Sequence, residues 1–276
     1  MSPFELAEPG SLAEAIALLG AENARPLSGG TALMLMMKAG VLRPARLVSL
    51  RKLGLDEIRV DGELRIGAMT SLRALERSAQ VQAGWPAITR TLRTLSNVRV
   101  RNVATVGGAL AHADPHMDLP PLLAALGAQV SIAGPRGERR LPVEALYAGY
   151  LENTLARDEL ITQVTIPPMG KNRAAYLKCT TRSADDWPAV GIAVLTDGSE
   201  VRIVLGAATD KPTRLVAAEK LLKGRTADPA ALGEAAEAGA DEARVEGDSH
   251  GSSAYKKQLI RVYLQRTLHE ARRAVH

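Results

Sequence analysis

The sequence predicts a mixed fold of helices and strands arranged in two domains. Three observations carry that expectation. The chain has 276 residues, more than one average domain holds. Hairpin signals at Asp61-Gly62 and around Gly134-Pro135-Arg136-Gly137 alternate with helical periodicity. Pro167-Pro168 opens a stretch, residues 167–173, in which regular structure must stop and beyond which the pattern changes.

Ser11 and Glu14 have the spacing of a capping box. Leu12, Ala15, Ile16 and Leu19 then share one helical face, which Gly20 ends. A short strand through Arg25, Pro26 and Leu27 leads into Ser28-Gly29-Gly30-Thr31, with residues 32–38 helical after it. Residues 47–50 read as a strand, and residues 58–60 and 64–66 as a hairpin about Asp61-Gly62. Helices follow at about 72–78 and 87–95, the second opened by Pro86. Next come Thr105-Val106-Gly107-Gly108, a polar turn over 112–118 and a buried helix over 119–126. A hairpin of 129–133 with 139–141 and a strand over 159–166 complete the first domain. Beyond residue 173, strands are expected at 174–179, 189–195 and 201–207, and helices at 212–222, 229–240 and 253–274.

Composition excludes several functions. The longest apolar runs, 32–37 and 122–126, fall far short of the roughly 20 residues that span a membrane. Met1-Ser2-Pro3-Phe4-Glu5-Leu6 has neither a basic leader nor an apolar signal segment, so a cytoplasmic protein is expected. Cys179 is the only cysteine, so this chain forms no disulfide within itself and cannot ligate an iron–sulfur cluster with four thiolates. The net charge of +5 suggests nucleic acid, but the basic residues are dispersed and aromatics are only 3%, too few for base stacking. A basic face against an acidic partner subunit suits the charge equally well.

The double glycines Gly29-Gly30 and Gly107-Gly108 each read as a junction between a strand and a helix. Without Cβ, glycine lets the backbone approach a ligand and adopt positive φ, so that several N–H groups converge on an anion. The following helix adds its positive end. Two such loops would clasp the two phosphates of a dinucleotide, although spacing alone favours the simpler reading of two tight turns. There is no Gly-x-Gly-x-x-Gly and no Walker sequence, which argues against a Rossmann site and a P-loop.

His112, Asp114, His116 and Asp118 alternate as metal ligands would on one face of a strand. Pro115 interrupts that strand, and no metal site is expected. Ser28, His112 and Asp118 make a hydrolytic triad only on paper, because nothing resembles a nucleophile elbow. Lys178, Arg182 and Arg214 read as surface cations, Cys179 as an inert core thiol, and Met34, Met36 and Met37 as core filler.

Together these segments resemble the flavoprotein medium subunit of the xanthine dehydrogenase and carbon monoxide dehydrogenase family, along nearly the whole chain. Pro26-Leu27-Ser28-Gly29-Gly30-Thr31-Ala32-Leu33 is similar to that family's first pyrophosphate loop. Arg101-Asn102-Val103-Ala104-Thr105-Val106-Gly107-Gly108 resembles the second, and Ala113-Asp114-Pro115-His116-Met117-Asp118-Leu119-Pro120 its continuation. Residues 159–168 look like the strand that closes the flavin domain. Tyr176-Leu177-Lys178 with residues 182–188 is similar to the opening of the C-terminal domain.

The resemblance implies an α+β fold. An FAD-binding domain of the vanillyl-alcohol oxidase type would occupy residues 1–168, in lobes of about 1–56 and 57–168. A smaller domain of three antiparallel strands and helices would occupy 174–276. FAD would lie between them. Ser28, Gly29, Gly30 and Thr31 would form one side of its pyrophosphate cradle, and Thr105, Gly107 and Gly108 the other. His112 would line the cofactor, and Asp118 would contact it or order its loop. One departure is Ala109, where the family commonly has asparagine. The missing amide hydrogen bond is worth about 0.5–1.5 kcal/mol, and backbone cradling does not need it.

By the same resemblance, no residue of this chain is catalytic toward the organic substrate. A small subunit would carry two two-iron, two-sulfur clusters, and a large subunit would hold molybdenum–pterin and the substrate. The assembly would be a dimer of heterotrimers. Electrons would pass through FAD to oxygen, NAD or a quinone. The alternatives are a free-standing FAD oxidoreductase of the related superfamily and a scaffold subunit without flavin.

Overall fold

Ser11 starts the first helix as its spacing requires. Its Oγ accepts the Glu14 N–H at 3.2 Å, while the Glu14 carboxylate turns back onto the Gly10 N–H at 2.8 Å. The computed structural model describes residues 2–274; Met1, Val275 and His276, at the outer ends of the expected domains, lie outside the described residues.

The first lobe runs β1 (Glu5–Ala7), α1 (Leu12–Leu19), β2 (Ala24–Leu27), α2 (Leu33–Lys38) and β3 (Arg46–Ser49). Its strands are parallel in the order β1-β3-β2. Parallel neighbours need crossovers, which α1 and α2 supply. Ala15, Leu19, Ala24, Val48 and Leu50 form a small core that Leu160 of the second lobe completes.

The second lobe begins with β4 (Ile58–Asp61) and β5 (Glu63–Gly67). Helices follow: α3 (Leu72–Arg77), α4 (Ala79–Gly84), α5 (Pro86–Thr94), α6 (Val98–Val103), α7 (Val106–His112) and α8 (Leu119–Ala125). Next are β6 (Gln129–Gly134), β7 (Gly137–Pro142), a 3-10 turn (Val143–Leu146), β8 (Tyr147–Gly149), β9 (Glu152–Asn153) and β10 (Leu160–Ile166). The sheet is antiparallel in the order β4-β5-β10-β6-β7, so β10 inserts between the two expected hairpins. Leu64, Ile66, Val130, Ile132, Val164 and Ile166 are fully buried and join one core with residues of the helices. That alternation follows from a sheet wetted on one face only.

The last region runs β11 (Arg173–Thr180), β12 (Pro188–Thr196), β13 (Val201–Gly206), β14 (Thr213–Arg214), α9 (Val216–Leu222), α10 (Pro229–Glu242) and α11 (Ser253–Arg273). The three expected antiparallel strands are present, with the two-residue β14 added at the edge. Leu215 is buried and gives its N–H to Ile203 O, so the segment expected to be helical from residue 212 stays extended until Val216. β12 carries a nearly unbroken apolar run because α8 covers one side of the sheet and α11 packs against it as well. No helix among the described residues is long and apolar enough to cross a membrane.

Two expectations are corrected here. The second double glycine follows a helix, α6, and not a strand. Val98-Arg99-Val100-Arg101 alternates like a strand, but Asn97 caps it through the Val100 N–H at 3.1 Å. Arg101 is buried against Glu76 at 2.9 Å, and Val98 and Val103 are exposed, the reverse of strand burial. The methionines also divide. Met37 is core, while Met36 lines a cleft.

Candidate functional site

A cleft of about 620 Å³ opens where the two lobes meet the C-terminal sheet. Its walls include Ser28, Gly29, Gly30, Thr31, Thr105, Gly107, Gly108, His112 and Asp118, so every site residue expected from the sequence is brought to one place.

The first loop is built to expose backbone. Gly30 lies at φ +72°, in the left-handed region, and Gly29 is pressed against the α6–α7 junction, where a Cβ would fall 2.0 Å from Val103 O. Among the described residues, no protein acceptor meets the N–H groups of residues 29–33, and α2 has no side-chain cap. Unpartnered N–H groups facing a cleft make an anion site.

The second loop is arranged differently from the first. Its N–H groups are spent within the protein: Val106 on Thr70 O at 3.0 Å, Gly107 on Ala68 O at 2.8 Å, and Gly108 on Thr105 Oγ1 at 3.1 Å. Its glycines serve close packing. A Cβ would lie 2.6 Å from Ala68 Cβ at Gly107, and 2.6 Å from Ser28 Oγ at Gly108. The Thr105 hydroxyl donates to Ser28 Oγ at 3.2 Å, so the second loop backs the first. Gly108→Val should therefore force Ser28 and Thr105 apart. It is expected to weaken binding of a cofactor in the cleft by about ten- to hundredfold, the affinity equivalent of overpacking. Cofactor content after gel filtration, with circular dichroism to check folding, measures it.

The alternating acids and histidines do not converge on a metal. Ala113 is left-handed at φ 57° and turns the chain between His112 and Asp114. The Asp114 carboxylate accepts the His116 N–H at 2.9 Å. Asp118 uses one oxygen on Tyr176 OH at 2.7 Å and the other on Lys178 Nζ at 2.8 Å. No group of three or more His, Cys, Asp or Glu residues among the described residues is placed to hold a metal ion. Asp118 thus ties the loop to β11. Burial raises its carboxyl above the ordinary value, against the opposing pull of Lys178 and Tyr176.

Lys178, expected at the surface, is instead buried, with its ammonium also donating to Thr94 O at 3.0 Å and Asp186 O at 3.2 Å. Cys179 is half-buried. Arg214 pairs with the buried Glu219.

Other wall residues carry no motif of their own. Leu35, Met36, Leu50, Met69, Leu72 and Ile161 form an apolar side, and Asp185, Asp186 and Trp187 close it from the C-terminal region. One signal for the apolar side was present. Residues 32–37 are apolar all round, and so short a helix cannot bury every face; Leu35 is 65% exposed. A smaller hollow of about 340 Å³ on the outer face of the second-lobe sheet is lined by charges, including the ion pairs Arg59–Glu57 and Arg65–Glu63. That is a solvated sheet face.

The cleft fits FAD. Free N–H groups suit a diphosphate, the apolar side suits a flat ring system, and the volume falls within the range of about 300–1,000 Å³ for cofactor clefts.

Residues 2–169 match the family described as FAD binding domain in molybdopterin dehydrogenase, and residues 175–271 match the CO dehydrogenase flavoprotein C-terminal domain. The chain is similar to the carbon monoxide dehydrogenase medium chain of Afipia carboxidovorans, 34% identical, with 98% of this chain and 96% of that one covered. It is 32% identical to the nicotine 6-hydroxylase medium subunit of Paenarthrobacter nicotinovorans, with 96% of each covered. Its fold is similar to that in the solved structure of reconstituted CO dehydrogenase from Oligotropha carboxidovorans, with a TM-score of 0.93 at 32% identity over 99% of both chains. These matches and the cleft between them agree: this chain belongs to the FAD-binding medium subunits of the molybdopterin dehydrogenase family.

Proposed function

We propose that the chain is the flavin-carrying electron relay of a molybdenum hydroxylase, taking electrons from an iron–sulfur partner and passing them to an external acceptor. The observation that carries the reading is the cleft itself, lined by residues 29–33, whose N–H groups have no protein acceptor among the described residues, and by a set of apolar side chains. Bound FAD supplies a carrier that exchanges electrons singly or in pairs. Gly29, Gly30 and Thr31 would hold its pyrophosphate, backed by Thr105, Gly107 and Gly108. His112 and the apolar residues would line it, and Asp118 with Lys178 would hold the C-terminal region against it.

The single cysteine supports an outside source of electrons, because one thiolate cannot hold a cluster. Relatives named for carbon monoxide and for nicotine match this chain almost equally. Two such unlike molecules support a substrate pocket on another chain. The partners are then a small iron–sulfur subunit and a large molybdenum subunit, assembled as a dimer of heterotrimers.

The test is anaerobic mixing with substrate while flavin absorbance is followed. The lone subunit should be yellow and stay unbleached, and adding both partners should restore bleaching. Rapid bleaching of the lone subunit would favour a free-standing oxidoreductase, and a colourless subunit a scaffold. Acid precipitation should release all colour into the supernatant, as non-covalent binding requires.

A further inference from the structure

His116 lies in the cleft wall between two carboxylates that reach it from distant parts of the chain. Its Nδ1 is 3.0 Å from Asp114 Oδ1, in its own loop. Its Nε2 is 2.9 Å from Asp248 Oδ2, in the connection between α10 and α11. A neutral imidazole has one N–H and can donate to only one of them, whereas imidazolium donates to both. Carboxylates facing both nitrogens therefore match the protonated ring alone. The His116 side chain is 12% exposed, so water replaces neither contact easily.

The neighbours reinforce the arrangement. Asp248 also accepts from Lys256 Nζ at 2.6 Å, and that ammonium is buried, with Ala207 O as its other partner at 2.9 Å. Asp248 is thus anchored to the start of α11, and Lys256 and His116 hold its carboxyl at about 2 despite partial burial. His250 lies 5.1 Å from the His116 ring and would repel it when charged, as does the Lys256 ammonium, which shares Asp248 Oδ2 with His116 Nε2. Trp187 meets His116 edge to face at 5.8 Å. Asp185, Asp186 and His112 line the same cleft.

We propose that His116 is a proton-dependent clasp. As imidazolium it ties the α10–α11 connection to the cleft loop, seats Trp187 at the cleft wall and slows the escape of bound flavin. The flavin effect rests on the function proposed above; the titration of the clasp does not.

Burial opposes a charge on His116, but the hydrogen bonds and charges of Asp114 and Asp248 outweigh it and raise the ring above its ordinary value. A value raised on folding fixes the direction. The clasp contributes fully below the ordinary histidine pKa of about 6.5 and is lost as pH rises through the raised folded value.

The experiment follows the imidazole resonances of the five histidines by NMR in the flavin-free full chain. The His116 signal is assigned by its loss in His116→Gln. It should titrate above the ordinary histidine value, and Asp248→Asn should bring it down. Titration at or below the ordinary value overturns the clasp whether or not flavin binds. In the flavin-loaded chain, the rate of flavin release is read from recovered flavin fluorescence. It should rise about tenfold between roughly pH 6 and pH 9 in the wild type, the loss of one charged hydrogen bond, and stay level in His116→Gln. An equal rise in the variant would overturn the link to flavin, even with the titration as expected. If His116→Gln does not fold, Asp248→Asn serves for both readings.

Discussion

Replacing Gly29 with alanine is expected to leave the chain folded and the cleft empty of flavin. A Cβ at this position would lie 2.0 Å from Val103 O, 2.7 Å from Val103 C and 2.9 Å from Ala104 Cα. All three are backbone atoms at the α6–α7 junction, so no rotamer change relieves the clash. The loop itself must move, carrying with it residues 29–33, which line the cleft and whose N–H groups have no protein acceptor among the described residues. Overpacking costs about 1–3 kcal/mol, and the upper end corresponds to a loss of affinity of about a hundredfold. The first-lobe core lies under α1 and β3, so secondary structure should persist. Gly233→Ala is the matching control, because a Cβ there meets nothing within 4 Å on α10. It should leave flavin content unchanged and add up to about 1 kcal/mol of stability, the helical advantage of alanine. Bound flavin per chain after gel filtration decides the matter. Full flavin content in Gly29→Ala would remove this loop from the phosphate site.

Asp118→Ala should be the most destabilising single change in the cleft wall. Lys178 would remain buried with an ammonium that has lost the one carboxylate bonded to it among the described residues, keeping as hydrogen-bond partners the carbonyls of Thr94 and Asp186. Breaking one side of a buried ion pair costs about 3–5 kcal/mol. Lys178→Met should cost less. The Asp118 carboxyl, already raised by burial, can take up a proton, and Tyr176 OH still donates to it. Combining Asp118→Leu with Lys178→Met should recover most of the loss, since no charge is then stranded. Urea unfolding near pH 7 ranks the variants. Asp118→Ala within about 1 kcal/mol of wild type would mean that the pair does not hold β11 to the α8 end of the cleft.

Local chemistry was legible in the sequence wherever partners lie a few residues apart. Ser11 and Glu14 define the start of α1, Asp61-Gly62 and residues 134–137 define the two hairpins, and Pro167-Pro168 ends β10. These signals rest on φ/ψ preference and on hydrogen bonds within one turn, which a sequence carries whole. The resemblance to flavoprotein medium subunits brought every expected site residue to the cleft, because its motifs record loops rather than packing. Only the tertiary structure decided what those residues do there. Val98-Arg99-Val100-Arg101 has the alternation of a strand and forms a helix, since Arg101 finds Glu76 across 25 residues. Lys178 is buried because Asp118 waits 60 residues earlier in the chain. β1, three residues without alternation, exists only because β3 lies beside it. The two double glycines look alike in sequence, yet the first leaves its N–H groups free and the second spends them on Ala68 and Thr105. His116 meets Asp248 from 132 residues away, a distance over which no periodicity or spacing speaks. Burial and pairing belong to whichever surfaces meet, and that is settled by the packing of the whole chain.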